Sequence, residues 1–125
     1  MASVLIVDDS PTETYKMEVA LKKNGFEVFK ADNGMDGVAA AKKHLPDLVL
    51  MDVVMPGLNG FQATRQLTQA KETAHIPVII VTTKDQQTDK LWGKRQGAKG
   101  YLVKPVDEKK LVDPVRQVME GAILF

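Results

Sequence analysis

Apolar positions in this chain come in short runs, and each run stops on a polar residue. Val4-Leu5-Ile6-Val7 leads into Asp8 and Asp9, and Leu48-Val49-Leu50-Met51 into Asp52. Val78-Ile79-Ile80-Val81 leads into Thr82, and Tyr101-Leu102-Val103 into Lys104. Runs this short, rich in β-branched residues and without polar alternation, read as strands buried on both faces of a parallel sheet. A less regular run, Glu27 to Ala31, reads as a further strand near an edge.

Helical patterns fill the intervals. Ser10-Pro11-Thr12-Glu13 opens the first, with Ser10 as N-cap, Pro11 in the first turn and Glu13 completing a capping box. Met17, Ala20 and Leu21 form its apolar face, and Asn24-Gly25 ends it. Asp36 to Lys43 is a second helix, stopped by Leu45-Pro46, and Asp47 to Met51 is the strand that follows. A third helix starts near Phe61 and runs to about Lys71. A fourth spans Gln86 to Gln96, with Gly93 in its middle, where glycine costs about 1 kcal/mol against alanine. Asp107 caps the last, whose apolar face is Leu111, Val112, Val115, Val118 and Met119. Strands alternating with helices specify an α/β fold.

In such sheets ligands bind beyond the carboxyl ends of the strands. Three carboxylates (Asp8, Asp9, Asp52), a hydroxyl (Thr82) and an ammonium (Lys104) are therefore expected at one edge. Adjacent strand residues point to opposite faces, but Asp8 and Asp9 lie where the chain is already turning, so both can reach one site. Asp8 or Asp9 could instead serve only the helix start. Three carboxylates brought together without a cation repel one another. Mg²⁺ relieves this, since it takes hard oxygen ligands and engages phosphate oxygens. Lys104 precedes Pro105, and a cis bond there would swing the lysine inward.

Composition removes other classes. The chain has 125 residues, 44% of them apolar, which suits one domain with a real core. Its net charge of +1 argues against nucleic acid or an anionic membrane as main partner. Lys90, Lys94, Arg95 and Lys99 read as a solvated helix face. There is no cysteine, hence no disulfide or thiolate chemistry. His44 and His75 precede Leu45-Pro46 and Ile76-Pro77 in apparent loops and make a poor metal site. No stretch resembles a signal peptide or a membrane span, so a cytoplasmic location is expected.

With Asp8-Asp9, Asp52, Met55-Pro56, Gly60, Thr82 and Lys104-Pro105 in this order, the chain resembles the CheY-like response-regulator receiver domains over essentially its whole length. The resemblance implies a flavodoxin-like, doubly wound, five-stranded parallel sheet in the order 2-1-3-4-5. It implies Asp52 as the phosphoacceptor, Asp9, Asp52 and the Val54 carbonyl as direct Mg²⁺ ligands, and Asp8 acting through water. It implies Lys104 and Thr82 as phosphate-binding groups and Thr82 with Tyr101 as a coupled switch pair. Val54 and Lys84 would tune loss of the phosphoryl group. The phosphodonor would be a CheA-like histidine kinase, and the target protein would bind the face of the fourth helix, fifth strand and fifth helix. A monomer or weak dimer is expected, a single receiver over residues 1–125 with no output domain, and a switch rather than a turnover enzyme.

Longer stretches, Met55 to Leu67 and Trp92 to Gly97 among them, look like the PilH-type regulators of type IV pilus twitching motility. A phosphate sink for a shared kinase and a constitutive receiver-fold binding module are the alternatives. Three features depart from the usual receiver. Pro114 interrupts the last helix, Gly93 follows an unusual Trp92, and the tail Gly121 to Phe125 is apolar. The tail is expected either to fray or to pack beside the last helix.

Overall fold

The computed structural model describes Met1 to Phe125. Five strands, β1 (Ser3–Val7), β2 (Glu27–Ala31), β3 (Leu48–Met51), β4 (Val78–Thr82) and β5 (Gly100–Val103), form one parallel sheet in the order β2-β1-β3-β4-β5. Five helices connect and follow them: α1 (Pro11–Lys23), α2 (Gly34–His44), α3 (Gly60–Gln69), α4 (Gln87–Arg95) and α5 (Glu108–Met119).

Alternation along each strand sends side chains to two separate cores. Val4, Ile6, Leu48, Leu50, Ile79 and Val81 pack against α1 and α5. Leu5, Val7, Val49, Met51 and Val78 pack against α2 and α3. A smaller cluster of Val53, Phe61, Ile80 and Ala98 carries Tyr101 on its margin. Burial on both faces holds for β1, β3 and β4 but not for β5, where Tyr101, Leu102 and Val103 are only half-buried. The reason is position. β5 is an outer strand, and an apolar run does not say whether a second neighbour will cover it.

Several boundaries differ from those expected. α2 begins at Gly34, because the Asn33 side chain caps it by accepting from the Asp36 N–H. His44 closes α2 and stacks on Phe29 rather than lying in a loop. Ser10 accepts from the Glu13 N–H, but its own N–H donates to Asp8 Oδ1 at 2.9 Å, so no reciprocal capping box forms there. That pair forms instead at α3, between Asn59 and Gln62. Pro114 does not break α5. It leaves the Lys110 carbonyl without its helical donor, and Lys110 is exposed, so water can take that acceptor.

The tail does not fray. Gly121, at φ +103°, turns the chain back after α5. The Leu124 N–H then donates to the Lys99 carbonyl at 2.7 Å, and Leu124 pairs in parallel with Gly100 at the open edge of β5. The Leu124 side chain packs on the α1/α5 core, while Ile123 and Phe125 stay exposed.

Candidate functional site

The ends of β1, β3 and β5 bring four charged groups together. Carboxylate oxygens of Asp8, Asp9 and Asp52 all lie within 4.8 Å of one another. The Lys104 ammonium donates to Asp8 Oδ2 at 2.7 Å and to Asp52 Oδ2 at 3.3 Å. The Lys104–Pro105 peptide bond is cis.

Asp8 is buried and fully engaged, with Oδ1 on the Ser10 N–H and Oδ2 on Lys104. It thus serves both the site and the entry to α1. Burial raises its pKa, and the Lys104 and Ser10 bonds offset only part of that rise. For Lys104, burial acts to lower the pKa, but the hydrogen bond to Asp8 and the charge of Asp52 outweigh it and leave the ammonium favoured.

Asp52 is also buried. Its Oδ1 accepts from the Val53 N–H at 2.7 Å and, at longer range, from the Val54 N–H at 3.4 Å. Gly60 supports this turn. A Cβ at Gly60 would collide with the Asp52 carbonyl, so only glycine lets α3 begin so close to the end of β3. Val54 is exposed on the rim, 57% accessible, whereas Met55 is turned into the core.

Asp9 differs from its two partners. It is exposed and makes no hydrogen bond or ion pair within the chain. Two buried, engaged carboxylates and one free one, against a single ammonium, leave an excess of negative charge and a set of hard oxygen donors. That donor set fits Mg²⁺ better than a thiolate- or imidazole-seeking metal. A cleft of about 780 Å³ opens from Asp8 and Asp9 between α1 and α2.

Thr82 is fully buried at the end of β4 and does not hydrogen-bond to the carboxylates. Its Oγ1 instead accepts from the Lys84 N–H at 3.5 Å. The Tyr101 hydroxyl donates to the Lys84 carbonyl at 2.8 Å. Thr82 and Tyr101 therefore meet through the backbone of Lys84, a link that no local sequence pattern announces. Burial, and then the charges of Asp89, Asp52 and Asp85, push the Tyr101 pKa up to about 12, so its hydroxyl stays a donor. The Lys84 ammonium lies 3.9 Å from Asp89.

The carboxylate triad with its lysine is the arrangement of a known family. Residues 4–116 match the response regulator receiver domain. The chain belongs to that family. Its relatives include the protein PilH of Pseudomonas aeruginosa, 66% identical over 121 residues, covering 97% of this chain and all of that protein. Among solved structures, the receiver resembles the chemotaxis protein CheY4 of Vibrio cholerae. The two are 33% identical with a TM-score of 0.90, over 94% of this chain and 98% of that one. It also resembles a response regulator from Chloroflexus aurantiacus, 31% identical with a TM-score of 0.91, over 95% and 98% of the two chains. No helix of the receiver is long and apolar enough to cross a membrane.

Proposed function

We propose that this receiver takes a phosphoryl group from a CheA-like histidine kinase onto Asp52 and signals through protein binding in type IV pilus control. The observation that carries the reading is the placing of Asp52 against Lys104, at 3.3 Å, inside the carboxylate cluster. The pilus setting rests on the 66% identity to PilH.

In the reaction, an Asp52 carboxylate oxygen attacks phosphorus and forms a P–O bond. The P–N bond to the donor imidazole breaks, and that nitrogen takes up a proton. The Lys104 ammonium meets the negative charge on the transferring oxygens, and the Val53 and Val54 amides hold the carboxylate in place. Asp9, Asp52 and the Val54 carbonyl would hold Mg²⁺ directly, with Asp8 acting through water; the ion supplies further charge neutralisation at the phosphoryl oxygens. Reversal of the mark is hydrolysis. Water adds to phosphorus, the P–O bond to Asp52 breaks, and inorganic phosphate leaves. The new charge on Asp52 attracts the Thr82 hydroxyl, and the Lys84 backbone transmits that movement to Tyr101.

Incubation with acetyl phosphate, with and without Mg²⁺, tests the reading by intact mass. Labelling of the wild type only with Mg²⁺, and none of Asp52→Asn, is expected. Undiminished labelling of Asp52→Asn would refute Asp52 as acceptor.

A further inference from the structure

Gly93 is the one buried residue of α4. It has no positive φ, so backbone freedom does not explain it. Room does. A Cβ at this position would lie 2.8 Å from Ile80 Cδ1 and 3.2 Å and 3.4 Å from Tyr101 Cδ2 and Cε2. Ile80 is fully buried in β4, between the strand that carries the phosphoacceptor and the strand that carries Tyr101. α4 therefore sits on the sheet too closely for a Cβ to fit without a shift of its neighbours, against the ring whose hydroxyl donates to the Lys84 carbonyl. The flanking Leu91 and Trp92 are about half-exposed and give α4 little other purchase.

We propose that Gly93 is a positioning residue of the switch: its missing Cβ seats α4 directly on Tyr101 and Ile80, so that the place of the ring, and with it the Tyr101–Lys84 bond, is set by the helix. This rests on the reading of Thr82 and Tyr101 as the switch pair. A Cβ at position 93 has to push Ile80 Cδ1 aside and shift the Tyr101 ring or α4 by a few tenths of an ångström, and Ile80 is packed on all sides in β4. Such a shift moves the ring against the Lys84 carbonyl and weakens the connection from Thr82 through Lys84 to Tyr101, while leaving Asp52, Lys104 and the carboxylates untouched. The low helix propensity of glycine, a disadvantage in the middle of α4, is the condition for that close seat.

The test compares wild type, Gly93→Ala, Ile80→Val and the double variant, all in a Tyr15→Phe background that leaves Tyr101 as the single tyrosine. The ring ¹³C resonance of Tyr101 is recorded before and after phosphorylation by acetyl phosphate and Mg²⁺, and labelling is followed separately by mass. Gly93→Ala is expected to label as wild type does, to show a displaced resting resonance and to lose most of the phosphorylation-dependent shift. Ile80→Val removes the nearest atom and should restore both in the double variant. A Tyr101 resonance in Gly93→Ala that matches wild type in both states overturns the proposal, as does failure of Ile80→Val to restore it. Should Gly93→Ala alone not fold, the double variant must fold and show the wild-type shift, or the proposal falls. Absence of labelling in wild type would instead refute the phosphorylation reading. The resting resonance, displaced by Gly93→Ala and restored by Ile80→Val, still decides the role of Gly93 in that case.

Discussion

Replacing Asp9 with asparagine should make the metal-free protein more stable, and Mg²⁺ should erase or reverse that gain. Asp9 is exposed and unpaired, yet its carboxylate lies within 4.8 Å of those of Asp8 and Asp52. Two like charges at that separation repel by about 1 kcal/mol in bulk water and by about 3–4 kcal/mol at an effective dielectric constant near 20. Exposure places Asp9 toward the lower figure, and Lys104 cancels part of the field of its two neighbours. The net relief is then about 1 kcal/mol, a rise in Tm of roughly 4 °C for a domain of this size. With Mg²⁺ at a hundredfold its dissociation constant, wild type gains about 2.7 kcal/mol by mass action, and a variant lacking one ligand gains less. Thermal melts in chelator and in Mg²⁺ measure both effects. An Asp9→Asn protein less stable than wild type in chelator would show that repulsion does not govern stability at Asp9. Equal Mg²⁺ gains in the two proteins would show that Asp9 does not hold the ion.

Decay of the phosphorylated protein should quicken in Val54→Asn, which offers a polar group on the exposed rim, and in Lys84→Glu, which removes the cation two residues beyond Thr82 that now lies 3.9 Å from Asp89; unchanged half-lives by mass would exclude both side chains from control of hydrolysis. Truncation after Glu120 removes the Leu124–Lys99 hydrogen bond and the partial burial of Leu124, a loss of about 1–2 kcal/mol, read as a lower urea midpoint. Lys22 first, and then Lys30, hold the Glu18 carboxyl below its usual pKa, so their contribution is present at neutral pH and lost as pH falls below about 4. Glu18→Gln should accordingly cost about 0.5 kcal/mol at neutral pH and nothing in acid, by urea denaturation at the two conditions.

The strands and the charged residues at their ends were legible because one physical fact writes both. A parallel strand covered on two faces must be apolar throughout, so the first polar residue marks where it leaves the core. That holds for Asp8, Asp52 and Thr82, all of which are nevertheless buried, because the site itself is packed into the sheet edge. Legibility weakened wherever a residue owes its identity to a distant one. The helical pattern starts at Asp36, yet Asn33 caps α2 so that it begins at Gly34, where a Cβ would meet the Leu58 carbonyl of the loop after β3. Ser10 and Glu13 have the spacing of a capping box, but Asp8 has already taken the Ser10 N–H. Tyr101 to Val103 is as apolar as a central strand, and only the sheet order reveals it as an outer one. Gly93 makes the same point in energetic terms. Local propensity counts glycine there as a loss of about 1 kcal/mol. What offsets that loss is the approach of Ile80 and Tyr101, which lie on two other strands. A residue that is locally unfavourable and globally required marks a place where packing has taken precedence over helix formation. In this receiver that place lies where α4 meets Ile80 of β4 and Tyr101 of β5.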